Sequence, residues 1–199
     1  DINGIYEDGG TNDFYFNSVY IGGSGVSAGS PSYAFNSTIS GNVTRNYKNN
    51  IFYNARSSVS TTPLHYAIKA GGNAGVSSDY NVLLANGNGQ MIANFSGTDI
   101  PTLALWRASI GGDINSYSAD PQFLAPTGNS TAVDLHIKPS PTTTIVEANG
   151  QNIVSVTDDY DVQIRAAFSP TDIGADAGNF TAAPKADMGP ISLLNPTTF

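Results

Sequence analysis

The chain has 199 residues and sets eight Lys and Arg against sixteen Asp and Glu, a net charge of −8. That balance disfavours nucleic acid and anionic lipid as partners, because both call for basic surface. The absence of cysteine excludes disulfides, thiolate metal sites and a cysteine nucleophile.

Only 12% of residues are charged while Gly, Ser, Thr and Asn abound; such a surface fits an extracellular β protein, secreted or held at the cell surface. No run approaches the ~18 consecutive apolar residues of a spanning helix, so no membrane insertion is expected. Asp1-Ile-Asn-Gly has neither a basic region nor an apolar h-region, and the opening residues read as the interior of a longer chain.

Strand-like runs dominate the first half. Aromatic and β-branched residues fill 13–21, 33–35, 47–53, 65–70 and 79–84, and Gly, Asn or Ser clusters bound each run, which is the pattern of strands and turns. Val19 stands 32 residues before Ile51, Phe35 stands 33 before Ile68, and Ile51 stands 29 before Tyr80. Two interleaved families of short strands with a period near thirty predict a β-solenoid. Asn17, Asn49 and Asn50 occupy matching turns and are expected to form amide ladders between repeats.

Near residue 100 the period changes. Pro101 stands close to a helix start, Leu103, Trp106, Arg107 and Ile110 follow at i, i+3, i+4 and i+7, and Gly111-Gly112 ends the run. This predicts one short helix over 101–110 that docks its apolar face on the strands.

After the helix come Asp120-Pro-Gln-Phe, Asp134-Leu-His-Ile-Lys, Thr157-Asp-Asp-Tyr-Asp-Val-Gln-Ile-Arg and Thr171-Asp-Ile-Gly-Ala-Asp. With Thr102-Leu-Ala-Leu-Trp-Arg, this order resembles the C-terminal end of right-handed parallel β-helix proteins of the pectate-lyase-like type, from large secreted or surface proteins of Bacteroidetes-type bacteria. The resemblance covers about 78 to 178 and implies an architecture more than a reaction. Residues 182–199, with three of the eleven prolines, resemble the opening of an adhesion or immunoglobulin-like module. The expected fold is therefore all-β: β-helix repeats over 1–98, a short helix and β-rich cap over 99–180, and a linker or start of a following domain over 181–199.

Chemistry is harder to place. His65 and His136 are the only histidines; a zinc site or a Ser-His-Asp arrangement would draw on them. No Gly-x-Ser-x-Gly elbow lies near either, so structural or surface roles are expected. Paired carboxylates for glycoside hydrolysis would come from Glu7, Asp8, Asp13 and Asp79, of which Asp79 reads more simply as an Asx turn. A lyase would add a Lys or Arg base and a basic cleft, and the repeats supply only Arg45, Lys48, Arg56 and Lys69. No catalytic residue and no metal ligand is assigned.

In the family the acidic closure is a structural cap, which implies Arg165 paired with Asp161 or Asp176. Arg45 and Arg56 are expected on exposed turns. A structural Ca²⁺ among Asp158, Asp159, Asp161, Asp172 and Asp176 is the minority reading, since the EF-hand frame is missing. Tyr15, Tyr20, Tyr47, Tyr53 and Tyr66 are the candidate glycan-stacking residues. The function expected is a non-catalytic scaffold or adhesion segment. Its partners would be neutral polysaccharide, bound weakly, or neighbouring domains of the same chain. The alternative is the C-terminal part of a polysaccharide lyase or glycoside hydrolase with catalytic repeats upstream.

Overall fold

The structure, a computed structural model, describes residues 1–24, 30–59, 62 and 65–184; the greater part of the expected C-terminal linker, 185–199, lies outside them. Among the described residues the chain is all-β apart from one short α-helix and a single 3-10 turn at Arg165–Ala167. Nine strands come first as three successive triplets: β1 (Ile2–Glu7), β2 (Asn12–Tyr15) and β3 (Ser18–Ile21); β4 (Ser32–Ser37), β5 (Arg45–Lys48) and β6 (Ile51–Asn54); β7 (His65–Ala70), β8 (Val76–Asp79) and β9 (Val82–Ala85). Then follow β10 (Gln90–Phe95), β11 (Thr98–Ile100), helix α1 (Leu103–Ile110) and the strands β12 (Phe123–Ala125), β13 (Asp134–Ile137), β14 (Thr143–Thr144) and β15 (Thr181–Ala182).

Each triplet forms a tier, and each strand pairs in parallel with its counterpart in the next tier. The resulting sheets run β1-β4-β7-β10, β2-β5-β8 and β3-β6-β9, with β11 added antiparallel beside β10. Three strand families therefore recur where the sequence pattern suggested two. Phe35 faces Ile68 as the spacing predicts. The other two matches slip: Ile51 faces Ser18 and Val82, so Val19 is displaced by one position and Tyr80 by two.

The slip arises at the corner between the second and third strand of each tier. Its first residue is left-handed (Phe16 φ 56, Asn49 φ 58, Tyr80 φ 59), which turns the chain sharply within two residues. Its second residue is Asn17, Asn50 or Asn81, and these form the ladder. Asn50 Oδ1 accepts from the backbone N of Asn17 at 3.0 Å and from its side-chain amide at 2.9 Å. Asn81 Oδ1 accepts the same pair from Asn50 at 2.9 and 3.1 Å. Each amide thereby satisfies a backbone donor that the corner leaves without a strand partner. Asn49, expected in the ladder, takes the left-handed position instead, which asparagine tolerates better than most residues.

Inside the tiers lies an aromatic and aliphatic core of Phe35, Tyr47, Phe52, Ile68, Leu83 and Ala93. Phe35 stacks on Phe52 with ring centres 5.0 Å apart and meets Tyr47 at 4.7 Å. Helix α1 closes one end of this core. Thr102 caps it through Oγ1, which accepts from Leu105 N, and Gly111 ends it in a left-handed conformation (φ 72). Trp106 and Ile110 are buried against the tiers.

The indole N–H of Trp106 donates to Asp113 Oδ2 at 2.8 Å. Asp113 is fully buried and also accepts from Ser78 Oγ, Asn81 Nδ2 and Ser116 Oγ. Ser116 Oγ accepts the backbone N of Asn81 at 2.8 Å. The asparagine ladder thus ends on Asp113 and Ser116. The residues from Trp106 to Ser116 terminate the tiers.

The segment from Tyr117 onward does not sit on that end. It runs back along the flank of the tiers, from the last toward the first. Tyr117 bridges to Val82, Gln151 N donates to Asn49 Oδ1 at 2.8 Å, and Ala175 N donates to Ser18 Oγ at 3.0 Å. Its Phe123, Ile137, Val146 and Ile173 form a second core with Ile51, Tyr53 and Val82 of the third sheet. Gly174 is required where it stands: its φ is 97°, and an added Cβ would lie 2.6 Å from Ile51 Cδ1. Pairing of β15 with β14 ties residues 181–182 into this segment. Among the described residues no helix is long and apolar enough to cross a membrane.

Candidate functional site

The candidate site lies on the flank segment. β13 pairs antiparallel with β12, and strand alternation sends Ile137 into the second core while Asp134 and His136 share the opposite face. Asp134 Oδ1 lies 2.5 Å from His136 Nδ1 and also accepts the backbone N of His136 at 2.9 Å. On the other side of the ring, Nε2 lies 2.9 Å from Asp161 Oδ2. Asp161 is held there by a tight acidic turn, in which Asp159 Oδ1 accepts from the backbone N of Asp161 and of Gln163. Asp176, partly buried, accepts Ile137 N at 2.7 Å. One ligand atom each from His136, Asp161 and Asp176 can be chosen so that all lie within 4.8 Å of one another.

This cluster borders a cavity of about 530 Å³, open on one side and lined by Ser18, Thr131, Asp134, His136, Tyr160 and Asp176 among others. The Tyr160 ring is 74% exposed and meets the His136 ring edge-on at 5.8 Å. A carboxylate at each ring nitrogen favours the doubly protonated imidazolium, so hydrogen bonding to Asp134 above all holds the His136 pKa above its ordinary value. Hydrogen bonds from His136, backbone first, hold Asp134 below the usual carboxylate range, whereas burial pushes Asp176 up.

Of the expected tyrosines, Tyr20 and Tyr53 meet edge-on with ring centres 5.0 Å apart, but the five do not share one face. Tyr15 and Tyr47 belong to the β2-β5-β8 sheet, Tyr20 and Tyr53 to the β3-β6-β9 sheet, and Tyr66 to the sheet of β1. Tyr47 lies wholly inside the core, where its hydroxyl donates to Glu7 at 2.5 Å. Tyr53 is buried beneath the flank segment and accepts from Asn86 at 2.7 Å. Tyr66 is buried, stacked on Tyr33 at 5.1 Å, and donates to Asp99 at 2.8 Å. Tyr15 and Tyr20 are only partly covered. A shared stacking face is therefore not formed, because alternation and the flank segment hide three of the five rings.

Arg165 also differs from expectation. It is buried with its guanidinium 4.0 Å over the Phe16 ring, and it donates to the carbonyls of Asp158, Gly174 and Ala175. Asp161 turns to His136 instead, and Asp176 to the backbone N–H of Ile137. Burial lowers the Arg165 pKa, and Asp159, Asp172 and Asp176 nearby oppose that shift. Arg45, expected on an exposed turn, is fully buried and donates to Ser37 Oγ and to the carbonyls of Val43, Ile39, Gly72 and Ala74. Asp79 accepts from Tyr80 N beside it and from Asn115 N after the helix, and Asp13 accepts from Asn46. His65 is buried, with Nδ1 2.9 Å from Ser32 Oγ.

The spacing of Asp134 and His136 within one strand was a usable signal for the site, since i and i+2 share a face. Nothing local points to Asp161 or Asp176, which arrive from separate loops. No family model, curated protein or solved structure matches this chain.

Proposed function

We propose that this chain is a non-catalytic, extracellular segment of parallel β-helix type, akin to the pectate-lyase-like proteins, with a scaffold or adhesion role and weak binding of neutral glycan in the groove beside Tyr160. The three parallel sheets with matching register support the architectural part of this reading. The low-charge, amide- and hydroxyl-rich composition supports the extracellular setting.

One observation carries the binding part: an open groove of mixed polar and apolar lining presents a single exposed tyrosine next to hydroxyl and carboxylate acceptors. A pyranose offers an apolar face that stacks on such a ring and hydroxyls that donate to such oxygens. The carboxylates of Asp134, Asp161 and Asp176 make the groove unfavourable for anionic uronates. Because one side is open, little of the ligand is buried, and dissociation constants nearer millimolar than micromolar are expected.

Titration of the ¹⁵N-labelled chain with neutral oligosaccharides tests this. Amide shifts should map to Thr131–His136 and Tyr160, weaken by roughly tenfold in Tyr160→Ala, and change little with salt. Shifts confined to the faces of the tiers would refute the groove as the site. Release of reducing ends or unsaturated uronates that vanishes in Asp13→Asn or Asp79→Asn would make the protein an enzyme instead.

A further inference from the structure

The His136 ring is gripped more tightly than a groove wall requires. Asp134 is fixed twice over, accepting both the ring Nδ1–H and the backbone N–H of the same residue. It therefore sets the ring's rotation and aims Nε2 away from β13. Asp161 Oδ2 lies 2.9 Å from Nε2, and one ligand atom each from His136, Asp161 and Asp176 lie within 4.8 Å of one another. Metal–ligand bonds of about 2.0–2.2 Å to nitrogen and oxygen place neighbouring donors roughly 3–4 Å apart, a small contraction from this arrangement.

Charge points the same way. With all three aspartates ionised, one imidazole faces three carboxylates, and among the described residues their only ion pairs are with His136 itself. The Arg165 guanidinium is committed to the carbonyls of Asp158, Gly174 and Ala175. Even an imidazolium leaves negative charge in excess within the cluster, which Arg165 offsets only in part, acting on Asp176 without an ion pair to it.

We infer that His136 Nε2, Asp161 and Asp176 bind one divalent cation of the zinc class, with Asp134 orienting the imidazole from behind. A carboxylate on the far nitrogen of a histidine ligand is the arrangement that fixes its tautomer and raises its basicity. An imidazole ligand favours zinc, cobalt or nickel over calcium and magnesium, which select oxygen donors. The remaining coordination positions face the groove, where water can fill them. The ion would join β13, the acidic turn and the Thr171–Asp176 closure at a single point.

The test uses the untagged 199-residue chain, stripped with EDTA and titrated with zinc chloride alone by calorimetry, with cobalt chloride as a visible-absorption probe. One ion per chain is expected. In imidazole-selective ¹H–¹⁵N spectra the His136 ring should shift, while the buried His65 ring, its Nδ1 against Ser32, should stay put as an internal control. His136→Gln should abolish binding, and Asp134→Asn should weaken it by about 10–100-fold. An unmoved His136 ring at millimolar zinc, unchanged binding in His136→Gln, or tighter binding of calcium than of zinc would each overturn the assignment. The ring spectra decide the matter in the wild-type chain even if a variant misfolds. No sugar is present, so the result is independent of the glycan reading.

Discussion

At the scale of single residues, the most consequential side chains are buried polar ones whose environment the sequence does not disclose. Asp172 is an example. It sits in the Thr171-Asp-Ile-Gly closure, accepts Ala148 N at 2.8 Å and Gly178 N at 3.1 Å, and has no described ion-pair partner. Burial, only partly offset by those two hydrogen bonds, pushes its carboxyl up to about 7. A carboxyl whose folded pKa is raised binds protons more readily in the native state, so it stabilises the fold below its unfolded pKa and loses that contribution as pH rises through the folded value. The stability of the wild-type chain relative to Asp172→Asn should therefore fall between pH 4 and pH 7, as followed by urea denaturation. A difference flat across that window would contradict the shift. The same blindness to environment explains the tyrosines: alternation says that Tyr47 and Lys48 face opposite ways, but not which of them faces inward.

Elements were more legible than contacts. The Pro101 and Gly111 signals bracket α1, and the Phe35-to-Ile68 spacing carries the register of the first sheet. Misplacement came from the corners, because an aromatic at a left-handed position such as Tyr80 reads as a strand residue to any rule based on propensity. Two adjacent asparagines, Asn49 and Asn50, are likewise indistinguishable until φ separates them. The end of the ladder is where this element-level design is most exposed to mutation. Asp113→Ala would leave the donors of Trp106, Asn81, Ser78 and Ser116 without their common acceptor. Several buried donors left without an acceptor should lower the unfolding free energy by about 3–5 kcal/mol, although rotation of the two hydroxyls can recover some. An unfolding curve within about 1 kcal/mol of wild type would show that the helix holds the end of the tiers without this aspartate.

Across the whole molecule, the path of residues 118–184 is the feature that sequence reasoning could not reach. Its strand, turn and closure are visible as local patterns, but their partners, Phe16, Ser18, Asn49 and Ile51, lie more than a hundred residues earlier. Repeat proteins bound only through adjacent units open progressively from a free end, and among the described residues β1, β2 and β3 each pair with a neighbour on one side alone. Here Arg165 clamps the corner of the first tier while Tyr117 is paired into the third. Native-state hydrogen exchange should therefore show similar protection for β2, β5 and β8, and Arg165→Ala should speed exchange in all three together. Faster exchange in β2 and β3 alone would mean that the tiers open independently. Treated as a one-dimensional lattice, the chain carries a coupling of range two laid over couplings of range one, and such a lattice melts in a single step with no boundary that can travel inward from its edge.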